Sequence, residues 1–246
     1  MAAEKRDRMR TRLIESAILV FADKGVEVAV IDDMIAMADV SRGTFYNYFR
    51  TNEELMSAAL QVLSNELLAL VDVVVLQCGD PAERLVCGIR TVLHATTQNK
   101  LLARFMSRVG LGPILQNSLA IKYLPRDIQS GIEAGQFCSA STELAMVLVL
   151  GTIHAAIHSQ AVQPSLSDNF PEMVTYHVLL GLGVAKERAY ALVSTPIARI
   201  IFPDALINFA CNVFLSDVPE LLVGHHAVED FLVTFHSINE HIIQHP

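Results

Sequence analysis

The sequence predicts an all-α protein of 246 residues. Apolar residues recur at helical spacing along nearly the whole chain, Asn-Gly and Asp-Gly hairpin dipeptides are absent, and Val-rich runs such as residues 71–76 sit inside longer helical stretches. With 52% hydrophobic residues and a mean hydropathy of +0.40, the chain holds enough apolar surface to build a core, which excludes general disorder. The longest central stretch without Asp, Glu, Lys or Arg, residues 144–167, is interrupted by His154, His158 and Pro164. Its apolar runs fall short of the roughly 18 residues a membrane span needs, so no membrane partner is expected. The first dozen residues are charged and lead into no apolar signal segment, so the expected location is the cytoplasm.

The first helix is predicted from Lys5 to Lys24, with Leu13, Ala17 and Phe21 on one stripe and Gly25 just past its end. A short second helix covers Asp32 to Ala38, and Asp39-Val40 forms a tight turn. Ser41 then caps a third helix running through Tyr48. Thr51-Asn52-Glu53-Glu54 reads as a capping box opening a long fourth helix to about Gln77. Asp80-Pro81 restarts a helix to about Asn99, Lys100 to Val109 forms another, and Gly110, Gly112 and Pro113 mark a loop. Helices follow over residues 121–137, 142–163, 172–182 and 186–193, the last stopped by Pro196. Pro203 and Pro219 suit the first position of two further helices.

Charge is distributed unevenly. The net charge is −8, yet residues 4–12 hold Lys5, Arg6, Arg8, Arg10 and Arg12 against Glu4 and Asp7. Lys and Arg are absent between Arg126 and Lys186 and again after Arg199. Because phosphate responds to the local field, only the N-terminal end is equipped to meet nucleic acid. There the apolar positions Leu13, Ala17, Phe21, Met34, Ala38, Val40, Phe45, Phe49 and Leu55 are spaced to close a three-helix core, a helix-turn-helix. Ser41 to Tyr48 is left facing outward, with Arg42, Gly43 and Thr44 at its first turn, where unpaired N–H groups and the helix dipole favour phosphate. Arg42 can fork onto guanine, and Thr44 can offer a methyl or hydroxyl to base edges. Tyr46, Asn47 and Tyr48 can bond phosphate or an adenine edge, while Gly43 admits close backbone approach.

The run Val40-Ser-Arg-Gly-Thr-Phe-Tyr-Asn-Tyr-Phe-Arg-Thr-Asn-Glu-Glu-Leu55, preceded by Asp32-Asp-Met-Ile-Ala-Met-Ala38, resembles the signature of the TetR family of transcriptional regulators. The resemblance returns at Leu179-Leu-Gly-Leu-Gly-Val184 and from Ala189 to Pro196, so it spans roughly residues 5–200. It implies a homodimer with an N-terminal DNA-binding domain and a helical body that binds a small molecule. Ser41, Arg42, Gly43, Thr44, Tyr46, Asn47, Tyr48, Thr51 and Asn52 are the DNA-contact positions expected on this basis. Three departures stand out: Val30 replaces a small polar cap, Asp39 replaces the turn glycine, and Asn52 replaces a lysine at the start of the fourth helix. Asp32 and Asp33 are therefore expected to serve the second helix's N–H groups alone, at a cost of roughly 1 kcal/mol.

The expected organisation is a DNA-binding domain at 5–65, a ligand-binding and dimerisation domain at 66–199, and a helical extension at 200–246. In the body, His94, Arg104, Phe105, Arg108, Tyr123, His154 and His177 are the polar or aromatic residues on otherwise apolar helices, the composition a small-molecule pocket needs. Residues 142–163 and 172–182 carry almost no charge, and Gly151, Ala155, His158 and Leu179 are the expected dimer contacts. His154 and His158 have metal-chelating spacing without an accompanying carboxylate, and Gly181-Leu-Gly183 lacks the strand of a dinucleotide loop, so no metal or cofactor is expected. Cys78, Cys87, Cys138 and Cys211 form no CxxC pair and read as buried free thiols. In the tail, Leu221, Val228, Phe235 and Ile242 recur every seven residues, a seam expected to fold on the body or pair across the dimer axis.

The function expected is a ligand-responsive dimeric repressor that binds a palindromic operator and is released by a small molecule, with no catalysis. The alternatives are an all-helical enzyme or carrier, and a DNA-binding activator without a ligand. Against the enzyme stand the absence of a Gly-x-Ser-x-Gly elbow, a phosphate loop and any Glu-x-x-His pair.

Overall fold

The computed structural model describes residues 2–25, 31–117, 120–139, 141–163 and 165–197. Val30, Cys211 and the tail seam of residues 200–246 lie outside the described residues. Among those described, every regular element is helical: α1 (Ala2–Lys24), α2 (Ile31–Met37), α3 (Arg42–Tyr46), α4 (Asn52–Val75), α5 (Pro81–Gln98), α6 (Lys100–Val109), α7 (Leu111–Asn117), α8 (Ala120–Glu133), α9 (Thr142–Val162), α10 (Phe170–Gly181) and α11 (Lys186–Ser194).

The N-terminal helices close on the predicted apolar set. Leu13, Ala17, Phe21, Met34, Ala38, Phe45, Phe49 and Leu55 are buried, and Val40 is half-buried at the rim. The turn between α2 and α3 is made by Asp39 at φ 48°, the left-handed conformation expected of that position. Asp tolerates it better than most residues because its short polar side chain can bond locally. Helix α4 is 24 residues long, about 36 Å, and packs against α1 and α5, so one element runs from the N-terminal three-helix unit into the body. Helix α1 also packs on α6, a second link.

Side-chain caps set several starts. Asp80 accepts from the Glu83 N–H at 3.0 Å ahead of Pro81, while the Glu83 carboxylate reaches back to the Gly79 N–H at 2.8 Å. Asn99 accepts from Leu102 N–H at 2.9 Å and so separates α5 from α6. Ser141 accepts from Leu144 N–H at 3.2 Å at the head of α9. The body's core is built on Leu85, Ile89, Leu93, Val149, Ile157 and Val178 from α5, α9 and α10.

One expectation is corrected here. Gly110 breaks the chain at φ 80° as expected, but Gly112 and Pro113 of the predicted loop lie in helix α7, because Pro113 falls in the first turn, where its missing N–H has no helical partner to lose. Helices α4 and α9 are also each long and apolar enough to cross a membrane by length and composition, although their uninterrupted apolar runs are short. For α4, packing between α1 and α5 accounts for that character. Among the described residues, α9 is packed against by α5, α6, α7, α8 and α10.

Candidate nucleic-acid interface

Helix α3 presents its N-terminal turn to solvent. Ser41 is the N-cap, and its hydroxyl accepts from the Thr44 N–H at 3.1 Å while lying 2.9 Å from the Thr44 hydroxyl. Arg42 and Gly43 are exposed beside it. A Cβ on Gly43 would meet only the Ser41 hydroxyl, at 3.8 Å, so nothing within the chain demands glycine there. Tyr46 is 46% exposed, held edge-on to buried Phe45 with ring centroids 5.4 Å apart. Asn47 is exposed at the C-cap, and Tyr48 is half-buried.

The Arg42 guanidinium bonds the Asp32 carboxylate at the start of α2, and that hydrogen bond and charge hold the guanidinium even more firmly protonated than usual. Lys24 pairs with Asp33 at 2.6 Å and Arg12 with Asp39 at 3.7 Å. The two α2 carboxylates, expected to serve the helix N–H groups without help from a polar cap, pair with cations on α3 and α1. Arg10 stacks over the Phe49 ring, 5.4 Å from its centroid, which fixes that basic side chain against the domain.

The predicted capping box at α4 forms in a shifted register. Thr51 accepts from the Glu54 N–H at 3.2 Å, but the Glu54 carboxylate bonds the N–H of Arg50, one residue before the cap, at 2.7 Å. Asn52 is half-buried, with its amide oxygen lacking a partner.

The residues predicted for the body's pocket are not all in one place. Arg104, Arg108, Tyr123 and His177 are exposed, with Arg126 stacked on the Tyr123 ring and the His177 ring bonded to the Met173 carbonyl at 2.8 Å. Phe105 is fully buried on α6. His94 lies 2.9 Å from Glu172, which also receives Nε and Nη2 of Arg90 at 3.2 and 3.0 Å. Arg90 is 6% exposed and spends Nη1 on the Thr195 carbonyl at 2.7 Å. Burial works to raise the Glu172 carboxyl, but the hydrogen bonds from His94, its own backbone and Arg90 outweigh it and hold the group below the ordinary range. This network ties α5 to α10 and the chain beyond α11, so His94 has a structural task.

His154 is different. Its Nδ1 is buried without a partner, and burial together with neighbouring His158 keeps the ring neutral by lowering its pKa. Three further buried groups that sequence reasoning missed share that condition: Glu66 and Asn65 on α4 and Thr91 on α5. Glu66 is 8% exposed with both carboxylate oxygens unpaired, and burial pushes its pKa up to about 8. Helix α5 packs on both α4 and α9, so these unsatisfied groups lie on neighbouring helices. Buried polar groups are nearly always bonded, which sets these four apart from the other polar side chains of the body. A Glu in the apolar middle of α4 was the available signal. Among the described residues no group of three metal-ligating side chains assembles, and the His158 Nδ1 bonds the Ser107 hydroxyl at 2.7 Å.

The outer side of α9 carries Leu144, Val147, Gly151, Ala155, His158 and Val162 at helical spacing. Val147 is 71% exposed and Leu144 56%; Ala155, His158 and Val162 are exposed and Gly151 half-exposed. Leu179, expected among the dimer contacts, is instead 0% exposed in the core. Helix α10 is apolar on both faces, so periodicity could not separate its inner stripe from its outer one.

Two family models match the chain in order. Residues 13–59 match the bacterial regulatory proteins of the tetR family, and residues 80–195 match the tetracyclin repressor-like C-terminal domain. The solved structure of RolR in complex with resorcinol superposes with a TM-score of 0.65 at 28% identity, covering 81% of this chain and all of RolR. The transcriptional repressor KstR of Mycolicibacterium smegmatis is 27% identical over 108 residues, 44% of this chain and 53% of KstR. The transcriptional activator FasR of the same species is 30% identical over 95 residues, 39% of this chain and 35% of FasR. The chain thus spans about half or less of the length of these curated relatives. With the DNA-reading head and the helical body both matched and the fold shared, this chain belongs to the TetR family of bacterial transcriptional regulators, which are DNA-binding proteins and not enzymes.

Proposed function

We propose that the protein is a homodimeric repressor that acts in the cytoplasm, where two α3 helices read the half-sites of a palindromic operator and a small neutral molecule bound in the body releases them. The observation that carries the DNA contact is the exposed, Ser41-capped first turn of α3, with Arg42, Gly43 and Thr44 outward. Ser41, Tyr46, Asn47, Tyr48, Thr51 and Asn52 would position the duplex through phosphate. The domain boundaries near residues 65 and 199 complete this reading.

Dimerisation through the outer side of α9 and α10 is supported by the uncovered apolar stripe from Leu144 to Val162, which a partner's identical stripe would bury isologously. Gly151, Ala155 and His158 fall on it.

For the effector, the unpartnered groups on α4, α5 and α9 supply the reasoning. A Glu66 carboxyl that stays largely neutral near pH 7 both donates and accepts a hydrogen bond, and Thr91 and His154 add further polar atoms. A compact hydroxylated ring satisfies such groups without burying charge, and RolR, whose structure contains resorcinol, is an example from the same family. The test is selection of binding duplexes from a randomised library, followed by titration of the selected duplex complex with resorcinol and related dihydroxybenzenes. The expected results are an inverted repeat and release by at least one of these compounds in wild-type protein but not in Glu66→Ala. Selection of no duplex would remove the DNA-reading function, and release unaffected by Glu66→Ala would remove the effector assignment.

A further inference from the structure

The turn that follows α4 folds back so that Cys78 meets Cys87 on α5, with the two sulfurs 3.0 Å apart. The sequence suggests unrelated buried thiols; both are instead half-exposed, and neither is disulfide-bonded. The bend is built by Gly79 and the Asp80-capped start of α5, and α5 packs along α4 with Gly88 facing Val71 and Val75. We propose that Cys78 and Cys87 form an oxidant-reactive dithiol, a modification site where the head-bearing helix α4 joins the body, which closes to a disulfide under hydroperoxides.

The geometry assigns the two sulfurs different roles. Cys78 donates its S–H to the Cys87 sulfur and also lies 3.4 Å from the Val74 carbonyl. Burial and the bond to Cys87 push the Cys78 thiol up to about 12, so Cys78 keeps its proton and donates it in the hydrogen bond that the Cys87 sulfur accepts. The Cys87 thiolate attacks one peroxide oxygen, the O–O bond breaks, and hydroxide leaves, giving a sulfenic acid on Cys87. The Cys78 sulfur then attacks that sulfur, its proton goes to the departing oxygen, and water leaves. Two thiols are oxidised by two electrons and one peroxide is reduced. Sulfur approach of about 1 Å completes the bond, and the turn between the cysteines is short enough to follow. In a reducing compartment such a bond is transient, as suits a sensor rather than a permanent staple.

Because α4 starts immediately after the DNA-reading helix, pinning its far end to α5 restricts how the head moves with the body. This regulatory half rests on the DNA-reading function proposed above, whereas the chemistry does not. The test treats the reduced full-length protein with hydrogen peroxide, blocks remaining thiols, digests it and weighs the peptides. The expected product is a linked pair containing Cys78 and Cys87, lighter by two hydrogens and restored by dithiothreitol. Cys78→Ser should leave a sulfenic acid on Cys87 that dimedone traps, and Cys87→Ser should leave Cys78 unmodified. The linked wild-type protein should melt higher by about 3–8 °C, and its affinity for the selected duplex should change on the order of fivefold or more. Linkage of Cys138 or Cys211 instead, or oxidation of Cys87 to sulfinic acid with Cys78 present, would overturn the site. A linked protein with unchanged affinity would overturn the regulatory half.

Discussion

At the scale of single residues, Arg42 and Glu66 hold opposite positions. Arg42 is exposed and already balanced by Asp32, so binding guanine requires the guanidinium to exchange a carboxylate for a base edge. Arg42→Ala should weaken binding to the selected duplex by roughly 10- to 100-fold and relax the preference at one base pair, measured by anisotropy on matched and substituted duplexes. Asp32→Asn should tighten binding to every duplex, since it removes a negative charge near phosphate. Glu66 is buried and unpaired, with a folded pKa of about 8 above its ordinary 4.5. The folded state therefore binds the proton more tightly than the unfolded chain does. Its contribution is fully present below about pH 4.5 and is lost as pH rises toward 8, at up to about 1.4 kcal/mol per pH unit. Glu66→Gln should flatten that decline and raise the Tm more at pH 8 than at pH 5, as followed by thermal melts across this range. The same stability slope in both proteins would show that Glu66 gains a partner in solution.

At the scale of elements, close helix approaches set the sensitive positions. A Cβ on Gly131 would lie 2.2 Å from the ring of buried Phe137, so Gly131→Ala must displace that ring. Such overpacking costs about 1–3 kcal/mol, and chemical denaturation should report a loss of that size. Val147→Arg or Ala155→Arg places a charge on the outer stripe of α9 and should give monomers in sedimentation velocity, with DNA binding lost in parallel. Most element ends were legible in the sequence because they depend on local chemistry: Ser41, Asp80 and Ser141 cap helices as their residue types predict. Contacts made by tertiary folding were not. The Cys78–Cys87 approach depends on one turn reversing the chain, and the buried face of α10 depends on which neighbours cover it. The Gly-Pro cluster before Ile114 was misread because glycine and proline signal a break, while Pro113 in a first turn permits a helix.

At the scale of the whole molecule, two elements couple the DNA-reading end to the body. Helix α4 packs along α5 and α1 packs on α6, so the α3-bearing end and the body share two continuous helical contacts. The acidic net charge of −8 and the basic cluster at residues 4–12 work together: the bulk of the chain repels DNA while one end attracts it, which orients the approach. Affinity for the selected duplex should accordingly fall steeply between low and physiological salt. The DNA-reading head was the most legible part of the chain, since its core spacing and its exposed turn are written within residues 10–55. The unpartnered groups Glu66, Asn65 and Thr91 were not, because nothing in a helical pattern distinguishes a satisfied buried polar residue from an orphaned one. The function proposed for the molecule depends on two copies of α3 reading one duplex together. Hydroxyl-radical footprinting of the selected duplex measures this directly: the prediction is two symmetric protected patches on one face, about one helical turn apart, and a single patch or uniform protection would contradict it.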